Sequence, residues 1–468
     1  MENEQQNLFL KQWMSLLNTH LKNRLLKDCC IPGSHDSNTH NLQNLKVVMA
    51  FAKCQKLTIY DQLCLGVRFL DLRYGPGKDS TQIIDQHGIV KGGDFMINIY
   101  DIVKFLSESP DEFIIIQLQE ETSVDPAARA KLIHTINQQM CNYLIAKEDC
   151  ESWFNLEKVT FGDIWSTKKR VLLLSKEYLS KDTGIGLYER SQLGIQIKEN
   201  YIINKWHDTN SVKLLFDKNL KSIENREEKY GNRLLCSQFV LTADSDKLSN
   251  IKDAFKFKIH TIGNHVKRLF KKNRIQRFMC DNIDQNFNIV LLDMIDFNTT
   301  FLELIISANI KTHLNLHLVL VGGIDHTKDF IEKIHWGRFL YLFDLKLYFK
   351  LFKSNYKQII IVYSYDDGPL QSKVIDNDAN EVLIFDNPLN VAEKPKYYVV
   401  FNLEKESILN ITSQELDEEF IKDTGKKLNS KAAFKISKEA VKVIELEYVK
   451  HNSIMNNLLM SFVSRKNN

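Results

Sequence analysis

Three polar clusters, each closing an apolar run, hold the side chains best suited to chemistry. Residues 65–75 read as a short buried strand that carries Asp71 and Arg73 at i and i+2 and runs into the turn Tyr74-Gly75-Pro76-Gly77. That spacing puts both side chains on one face. An unpaired buried charge costs several kcal/mol, so the two must pair with each other or serve a charged ligand. Arg73 is thus aimed at an anion. Upstream, Cys29-Cys30-Ile31-Pro32-Gly33-Ser34-His35-Asp36-Ser37 sets a His-Asp pair just past an apolar run, and downstream Gln82-Ile83-Ile84-Asp85-Gln86-His87-Gly88 sets a second histidine in the same position. Two histidines and an arginine at successive strand ends suit phosphoryl transfer. One imidazole takes a proton from an attacking hydroxyl, the other gives one to the leaving alkoxide, and the guanidinium holds the phosphate between them. This chemistry requires no metal. A lone histidine more often caps a strand and satisfies backbone groups; it is the combination with Arg73 that points to a site.

These clusters must be carried by elements, and the chain between them alternates. Strand-like runs at 27–31, 66–74, 82–87, 113–119, 170–175, 195–203, 234–241 and 288–295 are separated by helical patterns at 44–56, 98–109, 126–146, 208–228, 247–271 and 300–310. A further amphipathic helix is expected over 7–23. Short unbroken apolar strands separated by helices imply a parallel sheet covered on its outer face. Eight such strands fit a closed but distorted (β/α)8 barrel of the TIM type, whose site is built at the C-terminal strand ends. His35, Asp36, Asp71, Arg73, His87 and Asp293 all fall there. An open doubly wound sheet is the competing architecture.

The chain has 468 residues, beyond the length at which a single core keeps growing, so two domains are expected, at 1–312 and 313–468. With 44% hydrophobic and 26% charged residues it is an ordinary globular protein, and a net charge of +3 is too small to argue for nucleic acid. The start, Met1-Glu2-Asn3-Glu4-Gln5-Gln6-Asn7, is polar and acidic, unlike a secretory leader, and no long uncharged apolar run follows. A cytoplasmic protein, or one secreted without a classical signal peptide, is expected. The eight cysteines match neither a zinc-site spacing nor a disulfide framework and read as reduced thiols, with Cys29-Cys30 as strand filler.

The runs Ile31-Pro32-Gly33-Ser34-His35-Asp36-Ser37, Gly66-Val67-Arg68-Phe69-Leu70-Asp71-Leu72-Arg73 and His87-Gly88, in this order and spacing, resemble the X domain of phosphatidylinositol-specific phospholipases C, most closely the metal-independent members. The resemblance covers about residues 20 to 312. It implies that His35, oriented by Asp293, abstracts the proton of the inositol 2-hydroxyl, and that His87, bonded to Asp36, protonates the departing diacylglycerol oxygen. Arg73 would hold the phosphate, giving diacylglycerol and inositol 1,2-cyclic phosphate. Asp281 is the rival for the orienting role but precedes the last strand. Calcium-dependent members place an acid where Arg73 stands, so no metal or other cofactor is expected. Lysine near the phosphate in bacterial members is replaced here by Gln119, Lys176 stands where an arginine contacts substrate, and Glu199 and Tyr201 resemble the segment supplying an acid and a ring-stacking tyrosine. Head-group contacts are therefore expected to differ.

Residues 313–468 carry no recognisable motif and read as a small β-rich or α+β domain. Within them Lys346, Lys350, Lys353 and Lys357 fall at i, i+4, i+7 and i+11, one helical face. That stripe is either a solvated face of a core helix or a contact for anionic lipid. Two other functions compete with phosphatidylinositol cleavage: a catalytically silent module that binds a lipid head group or partner, and the same chemistry on another phospholipid such as sphingomyelin.

Overall fold

A computed structural model describes residues 2–43, 46–79, 81–175, 195–197, 201–242, 261–282 and 285–310. Beyond them it describes 314–321, 324–331, 340–341, 358–365, 371–376, 382–383, 397–402, 407–412 and 441–446. The chain divides into two compact units, one of residues 7–311 and one of residues 1–6 with 312–468.

Ten strands form the sheet of the larger unit: β1 (Ile31–Ser34), β2 (Phe69–Pro76), β3 (Ile83–His87), β4 (Val90–Asp94), β5 (Ile114–Glu120), β6 (Val171–Ser175), β7 (Ile195–Ile197), β8 (Ile202–Asn204), β9 (Leu234–Gln238) and β10 (Ile289–Leu292). Eight of them run parallel in the order β7-β6-β5-β2-β1-β10-β9-β8. The first strand pairs with the last, Ile31 opposite Ile289 through Ser34 opposite Leu292. That pairing makes the sheet a barrel, because an open doubly wound sheet has no reason to bring its chain ends together. The distortion is a seam: β7 and β8, consecutive in the chain, do not pair with each other among the described residues.

The strands are apolar because both faces are covered. Ile114, Ile115 and Ile116 of β5, Val171 to Leu174 of β6 and Ile289 to Leu291 of β10 are wholly buried. Helices Met96–Glu108, Pro126–Met140, Val212–Glu224, Ile262–Phe270, Arg274–Asp281 and Thr299–Ser307 follow or precede strands in barrel fashion. Behind β2, Arg68 is fully buried and forms a 2.7 Å ion pair with Glu112 while donating to the carbonyls of Leu63, Val67 and Lys11. Its guanidinium also lies 4.7 Å from the Phe105 ring centre. Satisfying every donor is what makes such a charge tolerable at the floor of a barrel.

Three local expectations are revised. The run at 82–87 is not a barrel strand: β3 is antiparallel to both β2 and β4, a hairpin added at the end of β2. The run at 195–203 is two strands flanking the seam, so the count of eight is restored by a different route. The first strand starts at Ile31, because Leu26–Asp28 turns as a 3-10 helix.

The second unit contains antiparallel strands: β11 (Leu314–Val321), β12 (Ile324–Asp325), β13 (Leu340–Tyr341), β14 (Gln358–Tyr365), β15 (Gln371–Asp376), β16 (Val382–Leu383), β17 (Tyr397–Asn402), β18 (Ser407–Thr412) and β19 (Val441–Leu446). They form sheets β12-β11-β14-β15, β13-β16 and β18-β17-β19, with one short helix, Thr327–Ile331. Leu340–Tyr341 pairs as strand with Val382–Leu383. Lys346, Lys350, Lys353 and Lys357 lie outside the described residues.

Candidate active site

At the C-terminal ends of β1, β2 and β10, the chain turns sharply just where its polar residues begin. Asp36, two residues past β1, and Met294, two past β10, both adopt left-handed backbone (φ 44° and 45°). Each bend ends a parallel strand and turns the side chain before it, His35 or Asp293, across the barrel mouth, a local strain typical of functional sites. His35 Nδ1 and Asp293 Oδ1 meet at 2.8 Å. The other ring nitrogen, Nε2, lies 3.5 Å from Asp36 Oδ2.

Asp36 is the hub. Its Oδ1 pairs with Arg73 Nε, and its Oδ2 lies 3.2 Å from His87 Nε2. Arg73 also reaches Asp71 Oδ2 at 3.1 Å and Glu121 Oε1 at 2.9 Å. His87 is fixed from behind, with Nδ1 2.8 Å from the Ala52 carbonyl, so that nitrogen carries the hydrogen and Nε2 faces the carboxylate. Asp71 is held by Gln117 Nε2 at 3.0 Å and its backbone N–H donates to Ser37 Oγ.

Electrostatics follow from this crowding. Burial disfavours charge on His35, but the carboxylates of Asp36 and Asp293 outweigh it and push the imidazole up to about 9. Burial likewise opposes the Asp36 carboxylate, and Arg73, His35 and His87 overcome it and hold the group far below the usual carboxylate range. Arg73 is driven further up, against its own burial, by Asp36, Asp71 and Glu121.

Several supporting residues gave no signal in the sequence. Gln55 donates to the carbonyls of His35 and Leu292 and accepts from Ile295 N–H, lacing β1 to β10. Asn38 pairs with both backbone groups of Arg73, accepting from its N–H at 2.9 Å and donating to its carbonyl at 2.7 Å. Its amide nitrogen also donates to Asp85 Oδ1, which accepts a second bond from Asn98, while Oδ2 accepts from Asn41. Burial lifts Asp85 to about 7 in spite of these donors. Asn41 packs under the hairpin at Gly92, where a Cβ would come within 2.9 Å of the Asn41 carbonyl oxygen. Asn204 at the end of β8 donates to Gln117 Oε1 of β5 at 3.0 Å and accepts from Gln238 of the neighbouring β9, so side chains link strands that lie on the two sides of the seam. Cys54, buried beside Asp36 with Sγ 3.4 Å from Oδ2, was read only as one of several unremarkable thiols.

Of the residues singled out beforehand, His35, Asp36, Asp71, Arg73, His87 and Asp293 converge. Gln119 stands at the rim, donating to Glu121 at 3.3 Å. Tyr201 does not join them. It precedes β8, at the strand end opposite the site, where its ring packs 6.4 Å from that of Phe154 and burial pushes its hydroxyl up. A residue before a parallel strand emerges at the wrong end of the barrel, which the earlier expectation of one long strand over 195–203 concealed. Asp281 ends an exposed helical turn ahead of β10. Lys176 and Glu199 lie outside the described residues.

Residues 30–177 match the sequence model of the phosphatidylinositol-specific phospholipase C X domain. That stretch is similar to the X domain of that family. The matched stretch of the X domain holds His35, Asp36, Asp71, Arg73 and His87, while Asp293 comes from beyond it. Among curated proteins, PI-PLC X domain-containing protein 2 of Mus musculus is 28% identical over 188 residues, 34% of this chain and 52% of that protein. The 1-phosphatidylinositol phosphodiesterase of Listeria monocytogenes is 26% identical over 237 residues, 50% of this chain and 69% of that protein. The chain thus spans about half of the mouse relative. Among solved structures, phosphatidylinositol-specific phospholipase C from Listeria monocytogenes aligns with 64% of this chain and 98% of its own at 21% identity, with a TM-score of 0.49.

Proposed function

We propose that the chain is a metal-independent phosphodiesterase that cleaves phosphatidylinositol, or a glycosylated relative, to diacylglycerol and inositol 1,2-cyclic phosphate. The observation that carries the reading is the convergence of His35, braced by Asp293 at 2.8 Å, with His87 and Arg73 around one buried carboxylate, Asp36. In this reading His35 Nε2 accepts the proton of the inositol 2-hydroxyl as that oxygen attacks phosphorus. His87 Nε2 delivers a proton to the glycerol oxygen as its bond to phosphorus breaks, while Asp36 keeps the imidazole oriented. Arg73 offsets charge on the free phosphate oxygens, in the place where a calcium ion would otherwise act. Exposed Ile89, Trp206 and Phe297, on loops leaving β3, β8 and β10, suit a substrate that sits in a lipid surface.

The test is turnover of phosphatidylinositol by the purified chain in excess chelator, with detection of cyclic inositol phosphate. Activity is expected without added metal, and His35→Ala and His87→Ala are each expected to lower it by about 10²- to 10⁴-fold. A substrate whose leaving group has a low pKa needs no acid, so it should rescue His87→Ala far better than His35→Ala. Restoration by calcium alone, or equal rescue of both variants, overturns the reading.

A further inference from the structure

We propose that the same centre binds a borderline-soft divalent cation, zinc being the one its donors fit, and that occupancy switches the phosphodiesterase off. The donors surround one oxygen. Asp36 Oδ2 lies 3.4 Å from Cys54 Sγ, 3.5 Å from His35 Nε2 and 3.2 Å from His87 Nε2. Ligand atoms of His35, Asp36 and Cys54 all fall within 4.8 Å of one another. A tetrahedral zinc ion with bonds of about 2.0–2.3 Å separates its donors by roughly 3.3–3.7 Å, so these three residues need small adjustments, and His87, outside that set, must swing in to close the shell.

Both imidazoles are already oriented as zinc ligands are. Each commits Nδ1 to an outer acceptor, the Asp293 carboxylate or the Ala52 carbonyl, and turns Nε2 inward. Such outer partners fix the tautomer and raise ligand basicity in zinc proteins. Charge favours a cation as well, since the carboxylates of Asp36, Asp71 and Glu121 share a single guanidinium, Arg73, and a fourth, Asp293, pairs with His35. Arg73 takes the other oxygen of Asp36, Oδ1, but its Nη2 lies 3.5 Å from His35 Nε2, so the guanidinium must draw back toward Asp71 and Glu121 as the metal enters. Two imidazoles, one thiol and one carboxylate oxygen select against calcium and magnesium, which demand oxygen shells. On binding, the Cys54 thiol and the protonated His35 imidazole each give a proton to solvent, and the thiolate and Nε2 bond to zinc. The Nε2 lone pairs needed for proton transfer are then engaged, so turnover stops.

The inhibitory half rests on the phosphodiesterase reading; the binding half does not. Cobalt(II) is the spectroscopic probe, titrated into the full chain with the exposed Cys141 and Cys280 replaced by serine to remove adventitious thiolate sites. One equivalent is expected to give a thiolate-to-cobalt charge-transfer band and tetrahedral d–d absorption, both displaced by zinc. Cys54→Ser should lose the charge-transfer band and at least ~10-fold in zinc affinity against a chelating dye, and Asp293→Asn, which keeps every ligand, should lose about 10- to 100-fold. Zinc should inhibit the parent protein at concentrations that leave Cys54→Ser at its own metal-free rate. Absence of the thiolate band, or equal zinc affinity in parent and Cys54→Ser, overturns the site. If neither protein turns over phosphatidylinositol, the functional reading fails while the cobalt spectrum still decides binding.

Discussion

His35 illustrates how a single residue's environment sets a measurable property of the whole protein. Burial penalises its charge, yet Asp36 and Asp293 lift it to about 9, above the ordinary 6.5. Because the folded value is the raised one, the protonated imidazole adds stability that is fully present below about pH 6.5 and is lost as pH rises through about 9. A general base must be neutral to act, so the two properties move in opposite directions. In chelator, kcat/KM for phosphatidylinositol should climb with pH through the 7 to 9 range while resistance to denaturant declines. Asp293→Asn removes one of the two carboxylates and should shift the rising limb to lower pH, together with a lower plateau from the misoriented ring. A pH–rate profile of both proteins is the measurement, and an unchanged limb would mean that another group limits the rate.

The hairpin of β3 and β4 is the element that turns a generic barrel into this site. It carries His87 at its tip end and Asp85 two residues earlier, and the chain just past β1 reaches it through Asn38 and Asn41. Asn38 is nearly fully buried and spends its amide on the backbone of Arg73 and on Asp85. Removing it takes the Asn38 partner from the backbone N–H and carbonyl of Arg73, while Asp85 keeps its bond from Asn98, at a cost of about 1–3 kcal/mol. Asn38→Ala should therefore lower unfolding free energy by that amount. Since Arg73 is then free to shift, kcat/KM should drop at least ~10-fold as well. Urea titration and steady-state kinetics on one preparation check both, and a stability loss with unchanged kcat/KM would confine Asn38 to scaffolding.

At the scale of the molecule, no helix among the described residues is long and apolar enough to cross a membrane. Beyond the exposed Ile89, Trp206 and Phe297 of the larger unit, the sequence offers Lys346, Lys350, Lys353 and Lys357, whose spacing of i, i+4, i+7 and i+11 would put them on one face of a helix. Near an anionic bilayer each contributes about 1 kcal/mol, fading as salt rises. Replacing all four by Gln should weaken co-sedimentation with anionic vesicles by ~10²-fold or more at moderate salt and leave hydrolysis of a soluble inositol substrate unchanged. Equal pelleting of both proteins would assign the stripe to an ordinary solvated face.

The order of apolar runs and turns was enough to place six of the eight parallel strands, and with them the end of the barrel at which His35, Asp36, Asp71 and Arg73 gather; His87 reaches it on an antiparallel hairpin. Period-2 burial and strand direction are local properties, and a residue just past a parallel strand can only emerge at its C-terminal end. What the chain does between strands is not local. The hairpin status of 82–87, the seam between β7 and β8 and the left-handed turns at Asp36 and Met294 depend on which strand each segment meets. So do the roles of Gln55 and Asn38, whose partners are backbone groups that any residue type presents, and of Cys54, whose neighbours His35, Asp36 and Asp293 come from sequence distances too large for any spacing pattern to reveal. Tyr201 marks the boundary between the two kinds of inference: its chemistry suited the site, but a three-residue strand beginning one position later sent it to the other end of the barrel.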